Sequence, residues 1–186
     1  MLAALAPLHR AVPIKRIVAS TYQAASGAGQ AAMDELAAGT RAYLDQQPFT
    51  PSVLPYPYAF NLFPHNSPLQ ANGYCEEEMK MVNEIAKITR DPDLKLHATC
   101  VRVPVLRTHA EALNVEFRSE LDVDRAYQLL ADAPGLTVFE DRAANRWAMP
   151  SDVSGQDPVY VGRIRRDPSQ ANTLDLWVVG DQLLKG

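Results

Sequence analysis

The apolar positions change their period along this chain, and the changes mark out its elements. Ile17-Val18-Ala19, within Lys15 to Thr21, is a short apolar run that predicts a strand. Gln30 to Leu44 is alanine-rich, which favours helix. From Cys75 to Arg90, Met79, Val82, Ala86 and Ile88/Thr89 recur at helical spacing. Glu76, Glu77 and Glu78 crowd the first turn, where the helix dipole favours acids, and Asp91-Pro92 ends the helix. Strand-like runs follow at Leu96 to Val105, Ala112 to Arg118, Thr137 to Phe139, Tyr160 to Arg165 and Leu174 to Val179, with one helix, Leu121 to Ala133, among them. Strands that return without a helix at each step predict an α+β domain with a mixed or largely antiparallel sheet.

Between Gln47 and Gly73, Pro48, Pro51, Pro55, Pro57, Pro64 and Pro68 forbid a long helix. Tyr56, Tyr58, Phe60 and Phe63 punctuate this segment. Long ordered loops of this kind are often functional or pack at an interface; a proline-stiffened connection with aromatic plugs is the equally weighted alternative. No repeat or boundary divides the chain, so one domain is expected over residues 1–186. The opening MLAALAPL runs into Pro7 and reads as the tail of a helix. Neither end resembles a natural polar terminus, and a piece of a longer chain is expected.

Composition narrows the function classes. A net charge of −4 argues against a general nucleic-acid binder, and the Arg163, Arg165, Arg166 cluster is too small to reverse that. Two cysteines cannot make a disulfide framework and read as reduced thiols, which fits a cytoplasmic setting. No apolar run approaches a membrane span, so no membrane partner is expected.

Candidate chemistry centres on the run from Leu96 to His109. Period-two counting puts Thr99, Val101, Val103 and Val105 on one face, expected to be core. Arg102 then points away from that core toward a cleft or partner, where a guanidinium can grip a carboxylate through two parallel hydrogen bonds. His109, expected in a turn after the strand, can exchange protons near neutral pH. Only its nearness to Arg102 lifts it above His9, His65 and His97. Glu77 and Lys80, three apart on one helix, could receive a zwitterionic or phosphorylated ligand, although a solvated ion pair is the commoner use of that spacing. Gly27 and Gly29 precede a helix, whose backbone N–H groups can hold an anion or a cofactor amide. They do not make a dinucleotide fingerprint. The cysteines and histidines lack metal-ligand spacing, so no metal is expected, and no serine elbow occurs.

Taken in order, STYQAASGAG, YAFNLFPHNSP, NGYCEEEMK, ATCVRVPV with His109, VGRIRRD and VVGDQLLKG resemble the C-terminal, catalytic and dimerisation half of the aspartate-semialdehyde dehydrogenases. The likeness covers essentially the whole chain and is closest to the branch found in plastids and many bacteria, so a plastid setting stands beside the cytoplasmic one. It implies a fold like the C-terminal domain of glyceraldehyde-3-phosphate dehydrogenase, with helices on one sheet face and a homodimer contact on the other. Gln23 would position the reacting carbonyl and His109 would be the general acid/base. Arg102 would bind the substrate α-carboxylate, Glu77 the α-amino group, and Lys80 would help bind phosphate. Ser26, Gly27 and Gln182 would touch NADP. The implied reaction is reversible: a cysteine thiolate attacks aspartate semialdehyde, hydride leaves to NADP⁺, and phosphate releases β-aspartyl phosphate. In biosynthesis it runs in reverse, toward lysine, threonine and methionine.

In that family the nucleophile lies in an Asn-Cys motif upstream of the position of Met1, and the NADP-binding domain lies further upstream. Neither Cys75 nor Cys100 has that context, so this chain alone is expected to be catalytically silent. The alternative is a stand-alone dimerisation or amino-acid/phosphate-binding module without redox activity. The related N-acetyl-glutamyl-phosphate reductases share the chemistry, but EEEMK and RVPV favour the aspartate branch.

Overall fold

In the computed structural model, which describes residues 1–185, helix α1 (Leu2–Ala11) leads into strand β1 (Ile14–Gln23). A 3-10 turn (Ala25–Ala28), α2 (Gln30–Leu44), the two-residue β2 (Phe63–Pro64) and α3 (Glu76–Thr89) follow. Then come β3 (Lys95–Arg102), β4 (His109–Phe117), α4 (Val123–Ala131) and β5 (Leu136–Val138). A small hairpin of β6 (Glu140–Asp141) and β7 (Arg146–Trp147) precedes α5 (Pro150–Val153), β8 (Val159–Arg166), β9 (Thr173–Gly180) and α6 (Gln182–Lys185). Gly186, the last residue of the predicted domain, lies outside the described residues.

Seven strands form one mixed sheet in the order β2-β3-β1-β4-β9-β8-β5. The β1/β3 and β5/β8 pairs are parallel, and the other pairs are antiparallel. Period-two alternation along β1 buries Ile17, Ala19, Thr21 and Gln23 and leaves Val18, Ser20 and Tyr22 on the opposite face. Helices α1, α3 and α4 cover the first face, where Leu5, Leu8, Ile17, Ile85, Leu113, Phe117, Leu130 and Leu176 form the main core. The α+β class and the mixed sheet are as the sequence predicts; the helices are not confined to one face, because Val153 of the short α5 packs on Ala110 and Val179 of the opposite face.

Three local expectations fail. The helix-covered face of β3 carries Ala98, Cys100 and Arg102, while Thr99 is exposed and Val101 half-buried on the open face. Both faces of this strand are largely apolar, so alternation alone could not tell which one the helices cover. The strand also ends at Arg102 rather than Val105, because Pro104 has no N–H for the ladder. In α3 the buried residue is Ile85, with Met81 packed against the same core, whereas Ile88 is 58% exposed.

The proline-rich segment is an ordered part of the fold. Glu35, buried on α2, accepts hydrogen bonds from the backbone N–H groups of Ser52, Val53 (2.6 Å) and Leu54 (2.9 Å). Leu54, Tyr58 and Phe63 then close a second small core with Ala25, Ala32 and Leu36. Burial pushes the Glu35 carboxyl up, but the backbone N–H bonds outweigh it and hold it below its ordinary value. Glu35→Ala removes the acceptor of three N–H groups, of which that of Leu54 is buried, and should cost roughly 1–3 kcal/mol in urea unfolding. Because this pKa is lowered by folding, the carboxylate's contribution is full above its unfolded pKa and fades as pH falls through its folded value.

Candidate active site

The parallel strands β1 and β3 end side by side, with Gln23 opposite Arg102. The neighbouring β4 begins at the same end of the sheet, where His109 pairs with Gly180, the last residue of β9. His109 is therefore a strand residue, not a turn residue: the turn ends one position earlier, at Thr108 with φ +82°. This end of the sheet, α3 from Glu77 to Ile88 and the starts of α1 and α6 line a cavity of about 430 Å³.

Of the eight predicted site residues, Gln23, Glu77, Lys80, His109 and Gln182 line the cavity. Arg102, Ser26 and Gly27 do not line it: Arg102 and Ser26 are buried beside it, and Gly27 is exposed. A Cβ added to Gly27 would meet His109 Nε2 at 3.0 Å and Arg102 Nη1 at 3.1 Å, so any larger residue there would press on both side chains. Ser26 accepts a short hydrogen bond from the Gln182 side-chain amide, which ties that turn to α6.

Each side chain has an identifiable anchor. The Gln23 amide accepts from Thr21 Oγ1 at 3.1 Å and donates to Glu77 Oε1 at 3.4 Å. Its backbone carbonyl accepts from Val103 N–H (3.1 Å), and the buried Tyr58 hydroxyl, which donates to the Val103 carbonyl, lies 3.3 Å from the same Gln23 oxygen. Glu78 fixes the approach of α3: one oxygen caps the N–H of Cys75 and the other takes the N–H of Cys100, each at 3.0 Å. Glu77 and Lys80 are thereby aimed at the cavity from one helix face. The fully buried Asp181 pairs with Arg107 (2.7 Å) and accepts the N–H groups of Gly155 (2.7 Å) and Leu183 (3.1 Å), which holds α6 and Gln182 in place.

His109 Nδ1 accepts the backbone N–H of Ala24 at 3.1 Å. A neutral ring in that arrangement carries its proton on Nε2, the nitrogen facing Gly27. Burial, followed by the Arg102 guanidinium, pushes His109 down to about 4. The unfolded chain holds a proton on this ring below its ordinary value of 6.5, whereas the folded chain holds it only below about 4. Stability from His109 is complete above pH 6.5 and declines as pH falls toward 4, by roughly 3 kcal/mol. Urea titrations at pH 7 and 4.5 should show this loss, and His109→Asn should remove its share.

Arg102 is 5% exposed, and no carboxylate of the described residues lies within 4.0 Å of it. Its Nη1 donates to the carbonyl of Ala24 at 3.3 Å, its Nη2 meets His65 Nε2 at 2.8 Å, and its Nε has no partner. Sequence reasoning set His65 aside, and the structure places it on the central guanidinium. Thr21 and Tyr58 were also missed as supports. Cys75 and Cys100 are both buried, and neither lines the cavity. Burial pushes the Cys100 thiol up to about 12. Among the described residues no group of histidine, cysteine and acidic side chains has metal-site geometry, and no helix is long and apolar enough to cross a membrane.

A mixed sheet ending in a cleft that gathers an amide, an imidazole, an acid and a cation marks an α+β domain with a polar site of small-molecule size. Residues 5–185 match the family described as semialdehyde dehydrogenase, dimerisation domain, and the chain belongs to that family. It is 55% identical over 183 residues to an aspartate-semialdehyde dehydrogenase of Synechocystis sp., covering 98% of this chain and 54% of that protein. Identity to the Bacillus subtilis enzyme is 43%, over 100% of this chain and 56% of that protein. The crystal structure of aspartate semialdehyde dehydrogenase II from Vibrio cholerae superposes with a TM-score of 0.96 at 42% identity, covering 100% of this chain and 55% of that one. The chain thus spans about half the length of the curated relatives it matches. These relatives are dehydrogenases, which leaves the stand-alone module without support.

Proposed function

We propose that this chain is the catalytic and dimerisation half of an NADP-dependent aspartate-semialdehyde dehydrogenase. The carrying observation is the convergence of Gln23, Glu77, Lys80 and His109 on one cavity with an unpaired guanidinium at its back. One of the related Vibrio cholerae structures is a complex with ASA. In this reading Arg102 takes the substrate α-carboxylate, Glu77 the α-amino group and Lys80 the phosphate. The Gln23 amide orients the carbonyl, and His109 exchanges the proton.

The residues also fit a nicotinamide cofactor. Gln182 Oε1 is buried without a hydrogen-bond partner, an acceptor suited to a carboxamide N–H, and Ser26 holds the same side chain by its other end. Such a cofactor, when bound, supplies the hydride acceptor. The nucleophilic thiol would come from chain preceding the position of Met1, whose first three residues border the cavity. The open sheet face, with Val18, Tyr22, Thr99, Val101 and Trp177, is the surface a second copy would cover in a homodimer. Turnover would serve lysine, threonine and methionine synthesis.

The test is phosphate-dependent reduction of NADP⁺ by the intact protein that carries this chain. Aspartate semialdehyde should support it and the 186 residues alone should not. Preference for the N-acetylglutamate semialdehyde, or no phosphate dependence, would overturn the assignment.

A further inference from the structure

His65 lies in the segment YAFNLFPHNSP, to which the proposed reaction gives no task, yet it makes the shortest contact of the central guanidinium. An arginine Nη can only donate, so His65 Nε2 must be the bare nitrogen of the ring. The 2.8 Å contact is the tighter of the two donor approaches to the ring, so the proton sits on Nδ1 and goes to Ser67 Oγ at 3.1 Å, which leaves the Ser67 backbone N–H, 3.2 Å from the same nitrogen, beside it without a bond. That hydroxyl oxygen also accepts the backbone N–H of Glu77 at 3.1 Å. Arg102, His65, Ser67 and Glu77 thus form one hydrogen-bonded chain from β3 to the first turn of α3.

We infer that His65 is a positioning residue that fixes the Arg102 guanidinium for an anionic ligand while leaving its charge uncancelled. The inference rests on the proposed reading of Arg102 as the carboxylate-binding group. A carboxylate at position 65 would hold the guanidinium more tightly but would occupy its charge. A neutral imidazole supplies an acceptor and no counter-charge, so the attraction stays available to the ligand. The surroundings keep the ring neutral: burial, and next Arg102, push His65 below its ordinary value, and Lys80 adds to this while Glu77 and Glu78 oppose it. The chain to Glu77 also sets the spacing between the groups assigned to the ligand's carboxylate and to its amine.

The experiment compares His65→Gln, His65→Phe and His65→Glu in the intact protein that carries this chain. Gln retains an acceptor and should keep KM for aspartate semialdehyde within about threefold of the parent. Phe removes one hydrogen bond to a charged group and should raise KM about tenfold or more, with kcat within about threefold. Glu should raise KM at least as far, because its carboxylate competes with that of the substrate. A role in structure alone predicts that Glu, which can still tether Arg102, leaves KM unchanged; that result, or an unchanged KM in Phe, overturns the inference. Should Phe fail to fold, the Glu and Gln variants carry the test. Nitrogen NMR of the histidine rings gives a readout independent of turnover: His65 should be neutral with its proton on Nδ1, and Arg102→Leu should shift its titration upward. No shift overturns the pairing. A parent protein that turns over no semialdehyde would instead overturn the proposed function and leave the NMR result standing on its own.

Discussion

Arg102→Leu is expected to fold at least as stably as the parent while losing about a hundred- to a thousandfold in kcat/KM for the anionic substrate. The two effects have one cause. The guanidinium is 5% exposed, its Nε has no partner, and its other bonds go to two neutral acceptors, Ala24 O and His65 Nε2. Taking an ion out of water costs several kcal/mol, and neutral acceptors offset only part of that. Leucine removes the burdened charge and fills much of the same space. It leaves His65 Nε2 without a donor, a penalty of roughly 1–3 kcal/mol, smaller than the relief. The binding loss runs the other way, because the anion loses both charge and fork geometry. Arg102→Lys should restore the charge and not the fork, and should recover only part of the affinity. Calorimetric Tm and steady-state kinetics on the same preparations separate the two effects. A Tm that drops by more than about 5 °C, the equivalent of about a kcal/mol or more, would show that Arg102 serves the fold.

Much of the architecture was legible in the residues. The alanine-rich run predicted a helix over 30–44, and α2 has those bounds. Alanine pays little to enter a helix, so local propensity and tertiary packing agree there. Agreement failed where the deciding contact is remote. Both faces of β3 are apolar enough to pass for core, and only helix packing from another part of the chain decides between them. The hairpin of β6 and β7 pairs two residues with two, which is too short for a period to register. His65 lies 37 residues from Arg102 along the chain, and nothing in its own neighbourhood announces the contact. The segment resemblance, by contrast, marked eight residues, of which Gln23, Glu77, Lys80, His109 and Gln182 line one cavity and Arg102, Ser26 and Gly27 do not. Periodicity reports which face a residue shares with its neighbours; it does not report which distant element comes to meet that face.

His109→Asn is expected to lower kcat by about a hundred- to ten-thousandfold with KM for aspartate semialdehyde nearly unchanged, as for loss of a positioned proton-transfer group. Asparagine is the informative replacement because its side-chain oxygen can take over from Nδ1 as acceptor for the Ala24 N–H. The 3-10 turn that carries Ser26 and Gly27 should therefore keep its place, and the variant isolates the lost Nε2. In the parent, the Ala24 N–H occupies Nδ1 and leaves the ring proton on Nε2, the nitrogen beside Gly27. The neutral ring thus begins as a donor, able to polarise a carbonyl oxygen and to stabilise the charge that develops there through its Nε2–H. A ligand carboxylate on Arg102 would cancel part of the charge that depresses His109, since that guanidinium is the second cause of its lowering after burial. Substrate should therefore raise the His109 pKa from about 4, and the acidic limb of kcat should lie at higher pH than that of kcat/KM. Coincident acidic limbs, or an Asn variant with parental kcat, would remove His109 from the chemistry and leave it a prop for the turn beneath Gly27.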